Sequence, residues 1–570
     1  MDGKSAVQLI ERLMAEGQAA VLAVIAGRER EAITEIFRTL DMCAYAFRMA
    51  PNQMDLVRQD VARHLMLMGA APALQPLLAK VVASSGPMRW SPSYAPFTDY
   101  MDHYLWRCGA LHSLHRLTCL ERYGLSRVRF EGDRRVVIEV EHGGAEAADR
   151  DSQHWWNALQ LEAAGALEPL SAAQLERIRQ RLDERSGTAY GWFISYVQDE
   201  ELIDRGLRRV RQLELSWPEA TALPDEAVVG GRTFRQWKDA CGFAAAQALA
   251  HLEFCTRLRA TQKGLDLRNL MTRCRARNDI VEEWHAAGYA PTWTDMTIRS
   301  LTLDERSSLG WISRYDTPFP FYVGIGPDFA LAPSMSALMN PFVGMVRHLR
   351  EQYRRDWDKA LNSREDQLRK EIAALLPTPR FSVATSGVEL KRPNGSVLTD
   401  IDAAILDSLH GTVALLQIKW HDVFSRSLRE RESRRINMLA AQQWVDKIHG
   451  WVADRDSASV AHAIGFKNLT RGPSGPPVLV VMTRHAARFS GEASGDRRSA
   501  WVSWPQFART IRECSPDADA LRIVATRHTP SESTTVVTPL DQPPIKMRYH
   551  FDGVEFEVVR GGSTLSATQA

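Results

Sequence analysis

Two short segments carry residue types that belong to phosphate chemistry. The first is Leu398-Thr-Asp400-Ile-Asp402; the second is Val413-Ala-Leu-Leu-Gln417-Ile-Lys419-Trp420. Alternate side chains of a strand share a face, so Asp400 and Asp402 are expected to point one way, as are Gln417 and Lys419. The second segment is apolar enough for the centre of a sheet, where an amide without a partner would cost about 2–7 kcal/mol. Placing Asp402 beside Gln417 and Lys419 across the ladder removes much of that cost. A carboxylate and an amide oxygen are hard ligands of the kind Mg²⁺ takes, with water and phosphate oxygens completing its shell. A neighbouring lysine would orient or help deprotonate an attacking water and stabilise charge on the phosphorus. Only eleven of the 71 basic residues are lysines, so a lysine at this position is more informative than an arginine. The competing expectation is a structural ion pair that closes the strand ends.

The elements that would position these groups follow from periodicity. Residues 5 to 85 repeat apolar positions at helical spacing up to Ser84-Ser85-Gly86-Pro87, and a second helical stretch carries Tyr104, Leu105, Leu111, Leu114 and Leu117. A hairpin is expected over Arg127–Phe130 and Val136–Val140. Helices dominate from 150 to 290. Residues 291–344, rich in Pro, Gly and aromatics, are assigned as an irregular connecting segment, with Gly324-Ile-Gly326 as a turn. Helical patterns from 345 to Pro377 then lead into strands Phe381–Ala384, Val397–Leu406 and Val413–Trp420, a basic helix from Leu428 to Val452 and the apolar strand Val478–Met482. A last hairpin is expected at Tyr549–Phe551 and Val554–Val559. The fold class expected is α+β and multi-domain. It has helical regions at 1–125 and 126–290, the connecting segment, an α/β core with a mixed sheet at 345–510, a β-rich extension at 511–560 and a disordered tail at 561–570.

In its motif order the C-terminal part resembles the PD-(D/E)xK nuclease superfamily, the restriction-endonuclease-like fold, in the branch shared with Mrr-type enzymes whose last motif reads QxK. Over residues 345–510, the resemblance implies that Asp402 is the metal-binding aspartate, Gln417 takes the acidic position and Lys419 is the motif lysine. It implies further that Glu365, on the helix before the first strand, is the additional glutamate, and that Gln442 or Gln443 supplies a later active-site glutamine. Thr399-Asp400-Ile401-Asp402 stands where the family has Pro-Asp, so Asp400 competes for the aspartate role. The implied activity is Mg²⁺-dependent cleavage of DNA, with Mn²⁺ as a substitute, in restriction or anti-phage defence first and repair second. The alternative is a restriction-like module that binds nucleic acid or assembles without turnover, because a neutral Gln417 binds Mg²⁺ more weakly than an acid.

Other residues carry paired expectations. Glu365 and Asp366 follow Ser363 in a pattern that also suits a capping box. Glu389 is either a reserve metal ligand or a solvated acid. Arg426, Arg429, Arg431, Arg434 and Arg435 follow the lysine strand and would either contact phosphates or line a solvated helix. Cys108, His112, His115 and Cys119 look like a metal set, yet on one helix the two cysteines would be ~16 Å apart, so they are assigned to the helix core.

The 570 residues call for several domains at ~100–200 residues each. A net charge of +2 excludes a bulk polycation, so nucleic-acid binding would need a local patch. Seven scattered cysteines, no CxxC, no secretory pattern at the N-terminus and no long apolar run point to a cytoplasmic protein with reduced thiols and no membrane contact. The expected partner is DNA, with self-association or a protein partner through the N-terminal helices.

Overall fold

The computed structural model describes residues 2–49, 56–82, 86–140, 162, 170–307, 317, 319–384, 386–392, 394–421, 428–466, 472, 474–485, 496–530 and 545–560. Helices Asp2–Val24, Glu29–Met49, Leu56–Val81 and Ala95–Cys119 pack as an N-terminal bundle. The last two cross with their backbones touching, because a Cβ on Gly109 would fall 1.7 Å from the Leu65 carbonyl oxygen and one on Gly69 would fall 2.1 Å from that of Leu105. Cys108 and His112 are buried in the last of these helices, as their helical spacing implied.

Both expected hairpins form, and they form one sheet. Ser126–Phe130 pairs with Arg135–Val140, and Ile545–Phe551 with Val554–Arg560. Strand Val554–Arg560 runs parallel to Arg135–Val140, with Phe556 opposite Val136. Phe551, Phe556 and Val558 thereby share a core with Ile10, Leu111 and Leu114.

The middle of the chain is built on helices Ala172–Arg185, Glu200–Leu213 and Phe234–Thr261, with a hairpin at Ser186–Ala189 and Phe193–Tyr196. Residues 291–344 are more regular than expected. They contribute helix Pro291–Ser300 and strands Thr302–Leu303, Tyr322–Gly324 and Phe329–Ala332, which join Arg273–Ala276 in a four-stranded sheet. Strands this short, some buried on both faces, leave no alternation to detect. Gly324-Ile-Gly326 is part of the turn between two of them, with Gly326 at φ +115°.

The C-terminal core follows from three runs whose residues are almost all buried: Ala403–Asp407, Thr412–Lys419 and Val478–Thr483. Continuous burial requires cover on both faces. Met438, Trp444, Val445 and Ile448 of helix Leu428–Ala453 cover one. Leu368 and Ile372 of helix Arg364–Leu375, with Phe507, Leu521 and Val524, cover the other. The sheet order is 381–384, 403–407, 412–419, 478–483, 500–503; the first two joints are antiparallel and the last two parallel. Two expectations are corrected. The single strand Val397–Leu406 is two strands: Val397–Ile401 pairs with Val388–Lys391 in a separate hairpin, and Ala403–Asp407 enters the main sheet, so the chain changes sheets at Asp402. Residues 504–513 and 520–528 are helices against the core, where a β-rich extension from 511 was expected. Among the described residues no helix is long and apolar enough to cross a membrane.

Candidate metal centre

Asp402 is 5% exposed, and its main-chain N–H donates to the Leu416 carbonyl at 3.0 Å, which extends the antiparallel ladder and sets Asp402 opposite Gln417. Its Oδ2 accepts the Gln417 side-chain amide and, at 2.6 Å, the Ile418 backbone N–H. Oδ1 receives no hydrogen bond among the described residues. With Nε2 of Gln417 facing Asp402, its Oε1, the atom able to bind a cation, is turned elsewhere.

Burial pushes the Asp402 carboxyl above its ordinary value, with Asp400 adding to the rise; the Ile418 N–H, Lys419 and Gln417 oppose it. The Glu365 carboxyl is also raised, by burial first and by the charge of Asp402 second, while Lys419 and Arg369 pull it down. The charges of Asp402 and Lys419 both act on Glu365, and those of Lys419 and Asp400 act on Asp402. Carboxylates that burial and neighbouring acids make costly to ionise suit a hard divalent cation, and the donors are all oxygens. The residues present fit Mg²⁺ or Mn²⁺, with Glu365 and Asp402 as its holders; Gln417, expected as a third ligand, instead holds Asp402.

Glu365 owes its place to the start of helix Arg364–Leu375. The capping-box expectation is overturned: the Ser363 hydroxyl donates back to the Ala360 carbonyl at 2.6 Å, and Asp366 pairs with Arg369. Arg369 also donates to the Asp402 carbonyl at 2.9 Å, tying this helix to the strand break. The neighbouring Arg364 is buried and donates to the Ala222 carbonyl at 2.7 Å, so the helix is anchored to the preceding part of the chain.

Asp400 does not share the environment of Asp402. It is exposed, stands opposite the exposed Glu389 in the small hairpin, and its carbonyl accepts from the Trp444 indole at 2.7 Å. Asp400 and Glu389 form an acidic rim, not the centre.

Lys419 is half-buried at the end of its strand. Among the described residues no carboxylate lies within ion-pair distance of it, so the expected direct contact with Asp402 is not made and the structural ion pair does not form. Lys419 stands one pleat beyond Gln417, and such diagonal neighbours are ~7–8 Å away across a ladder. Parallel pairing sets Thr483 beside Lys419, with the Thr483 hydroxyl buried and unpartnered among the described residues. The following Arg484 donates its N–H to the Lys419 carbonyl at 3.0 Å, pairs with Glu371 and stacks 4.7 Å from the Trp420 ring. His485 beside it is held well below its ordinary value by burial first, then by Arg484, Arg364, Arg434 and His421. This concentration of cations beyond the lysine is absent from the expectations above; only Arg434 was singled out.

Arg434 is half-buried on helix Leu428–Ala453. Arg426 and the side chains of Arg429, Arg431 and Arg435 lie outside the described residues. Gln442 is spent elsewhere: its amide donates to Asp496 at 2.7 Å and accepts the Asp496 N–H at 3.1 Å, clamping the helix to the approach to strand Ala500–Ser503. Gln443 is exposed on the same helix. A second cluster, Asp407, His410 and Asp519, gathers at the other end of strand Ala403–Asp407. There the Arg380 guanidinium already holds Asp407 at 3.0 and 2.6 Å, occupying the place a cation would take.

No protein-family model, curated protein or solved structure matches the chain.

Proposed function

We propose that the chain is a Mg²⁺-dependent nuclease hydrolysing phosphodiester bonds in DNA, with a restriction-endonuclease-like C-terminal core and a setting in restriction or anti-phage defence. The observation that carries this reading is the gathering of Asp402, Gln417 and Glu365 beside an ammonium, Lys419, that makes no ion pair among the described residues. The order helix, strand, small hairpin, two strands, crossover helix and two parallel strands supports the fold assignment. When bound, the metal supplies Lewis-acid polarisation of the phosphate and an acidified water. Gln417 holds Asp402 through Oδ2, which leaves Oδ1 for the cation, and Lys419 stabilises negative charge developing on the phosphate oxygens. Arg484, Arg434 and Arg364 raise the local positive potential for a polyanion.

A second reading rests on Gln417. A neutral amide in place of an acid removes one charge from the centre, as in a module that binds nucleic acid without turnover. Plasmid, linear and single-stranded DNA incubated with Mg²⁺ or Mn²⁺ separate the two. The nuclease reading predicts cleavage that falls by roughly 10²–10³-fold in Lys419→Ala, the effect of removing one preorganised donor, with DNA binding retained. Binding without cleavage in either metal selects the second reading.

A further inference from the structure

A cavity of about 290 Å³ lies between the hairpin Ser186–Ala189 and Phe193–Tyr196 and the strand Arg273–Ala276, and no residue of the C-terminal core lines it. Its size is close to the lower end of small-molecule sites, ~300 Å³. Trp90, Phe193 and Tyr196 give it aromatic walls, and Asn269, Arg273 and Arg275 give it polar ones.

The charges on this wall do not cancel. Glu283 clamps Arg275 at 3.2 and 2.7 Å and accepts Gln247 at 3.2 Å as well. Arg273 has no such carboxylate among the described residues. It donates to the Tyr196 hydroxyl at 3.0 Å, and its Nε is buried without a partner. The Tyr196 hydroxyl lies 2.9 Å from Nδ1 of the fully buried His251, whose Nε2 lies 2.9 Å from the Leu270 carbonyl, so the guanidinium is fixed in place. The Asn269 side-chain oxygen accepts the Ser93 N–H at 2.8 Å, which leaves its NH₂ as a donor on this wall.

A guanidinium on this wall that no carboxylate clamps selects an anionic acceptor. A fixed guanidinium suits phosphate or carboxylate. Aromatic walls add stacking for a planar ring. We propose that this cavity binds a nucleotide, with its phosphate on Arg273 and Asn269 and its base against Phe193 and Trp90. The source is either a free mononucleotide or the phosphorylated end of a strand, and both present the same chemistry.

The test is calorimetric titration of the full chain in EDTA, which keeps metal-bridged phosphate binding in the C-terminal core out of the signal. The probes are AMP, GMP, adenosine, inorganic phosphate and 5′-phosphorylated pentathymidylate. At least one mononucleotide or the oligonucleotide is expected to bind saturably, with adenosine and inorganic phosphate each weaker by about tenfold or more. Binding by mononucleotides identifies the free source, and binding by the oligonucleotide alone identifies a strand end. Arg273→Gln is expected to weaken binding by about tenfold or more. Ser195→Trp, at an exposed position lining the cavity, is expected to block it by bulk while leaving the hydrogen-bond network intact. This second variant decides the matter where Arg273→Gln does not fold. No binding of any probe at millimolar concentration, adenosine or inorganic phosphate binding as tightly as AMP, or unchanged affinity in Ser195→Trp would each overturn the proposal.

Discussion

At the scale of single residues, the candidate centre trades stability for readiness to bind a cation. Burial raises the carboxyls of both Asp402 and Glu365. A carboxyl raised in the folded state holds its proton more tightly there than in the unfolded chain. Its contribution to stability therefore declines as pH climbs from the ordinary carboxylate range, ~4, through the raised value, and the penalty persists above it. Asp402→Asn removes that charge while keeping an acceptor for the Ile418 N–H. In metal-free buffer at neutral pH this variant is expected to melt at or above the wild-type temperature, with a shallower loss of stability between acid and neutral pH. A clear drop in melting temperature would contradict it. The same sign governs catalysis, since a cation must displace those protons. Cleavage should fall on acidification at a higher pH than ordinary carboxylates would give, and a kcat/KM profile flat down to about pH 4 would contradict the assignment.

At the scale of elements, the pairing of Asp402 with Gln417 was legible because two facts suffice to set it: strand alternation and the short turn ending at Gly411, which takes φ +67°. The break at Asp402 was not legible. No Gly or Pro marks it, and an unbroken apolar run looks the same whether it stays in one sheet or changes to another. Thr483, Arg484 and Arg369 reach the centre through parallel pairing and helix packing between segments distant in sequence, which periodicity does not encode. The distance between Lys419 and Asp402 was misjudged because alternation tells which face a side chain takes and not how far along it lies. Helix Arg364–Leu375 yields a prediction of its own. Arg364 joins it to Ala222, one residue from Glu365, so Arg364→Gln should displace Glu365, lower kcat with little change in KM for DNA, and cost about 1–3 kcal/mol through the unmet Ala222 carbonyl. Unchanged kcat in a folded variant would show that this anchor does not position Glu365.

At the scale of the whole molecule, the end of the chain completes a sheet begun near its start. Deleting 545–560 removes Phe551, Phe556 and Val558 from the core they share with Leu111 and Leu114 and uncovers an edge of strand Arg135–Val140. Loss of even one such phenylalanine costs about 3–5 kcal/mol. Hydrogen exchange should therefore accelerate in helices Asp2–Val24 and Ala95–Cys119 while strands Thr412–Lys419 and Val478–Thr483 keep their protection. Uniform loss of protection would mean instead that the two regions unfold as one unit. The sheet at 412–419 and 478–483, covered on both faces, is the rigid support on which the candidate metal centre depends. Calorimetric titration of Mn²⁺ into the full chain tests that centre most directly. Saturable binding that is lost in Asp402→Ala and retained in Lys419→Ala is expected. Mn²⁺ affinity unchanged by Asp402→Ala would contradict it.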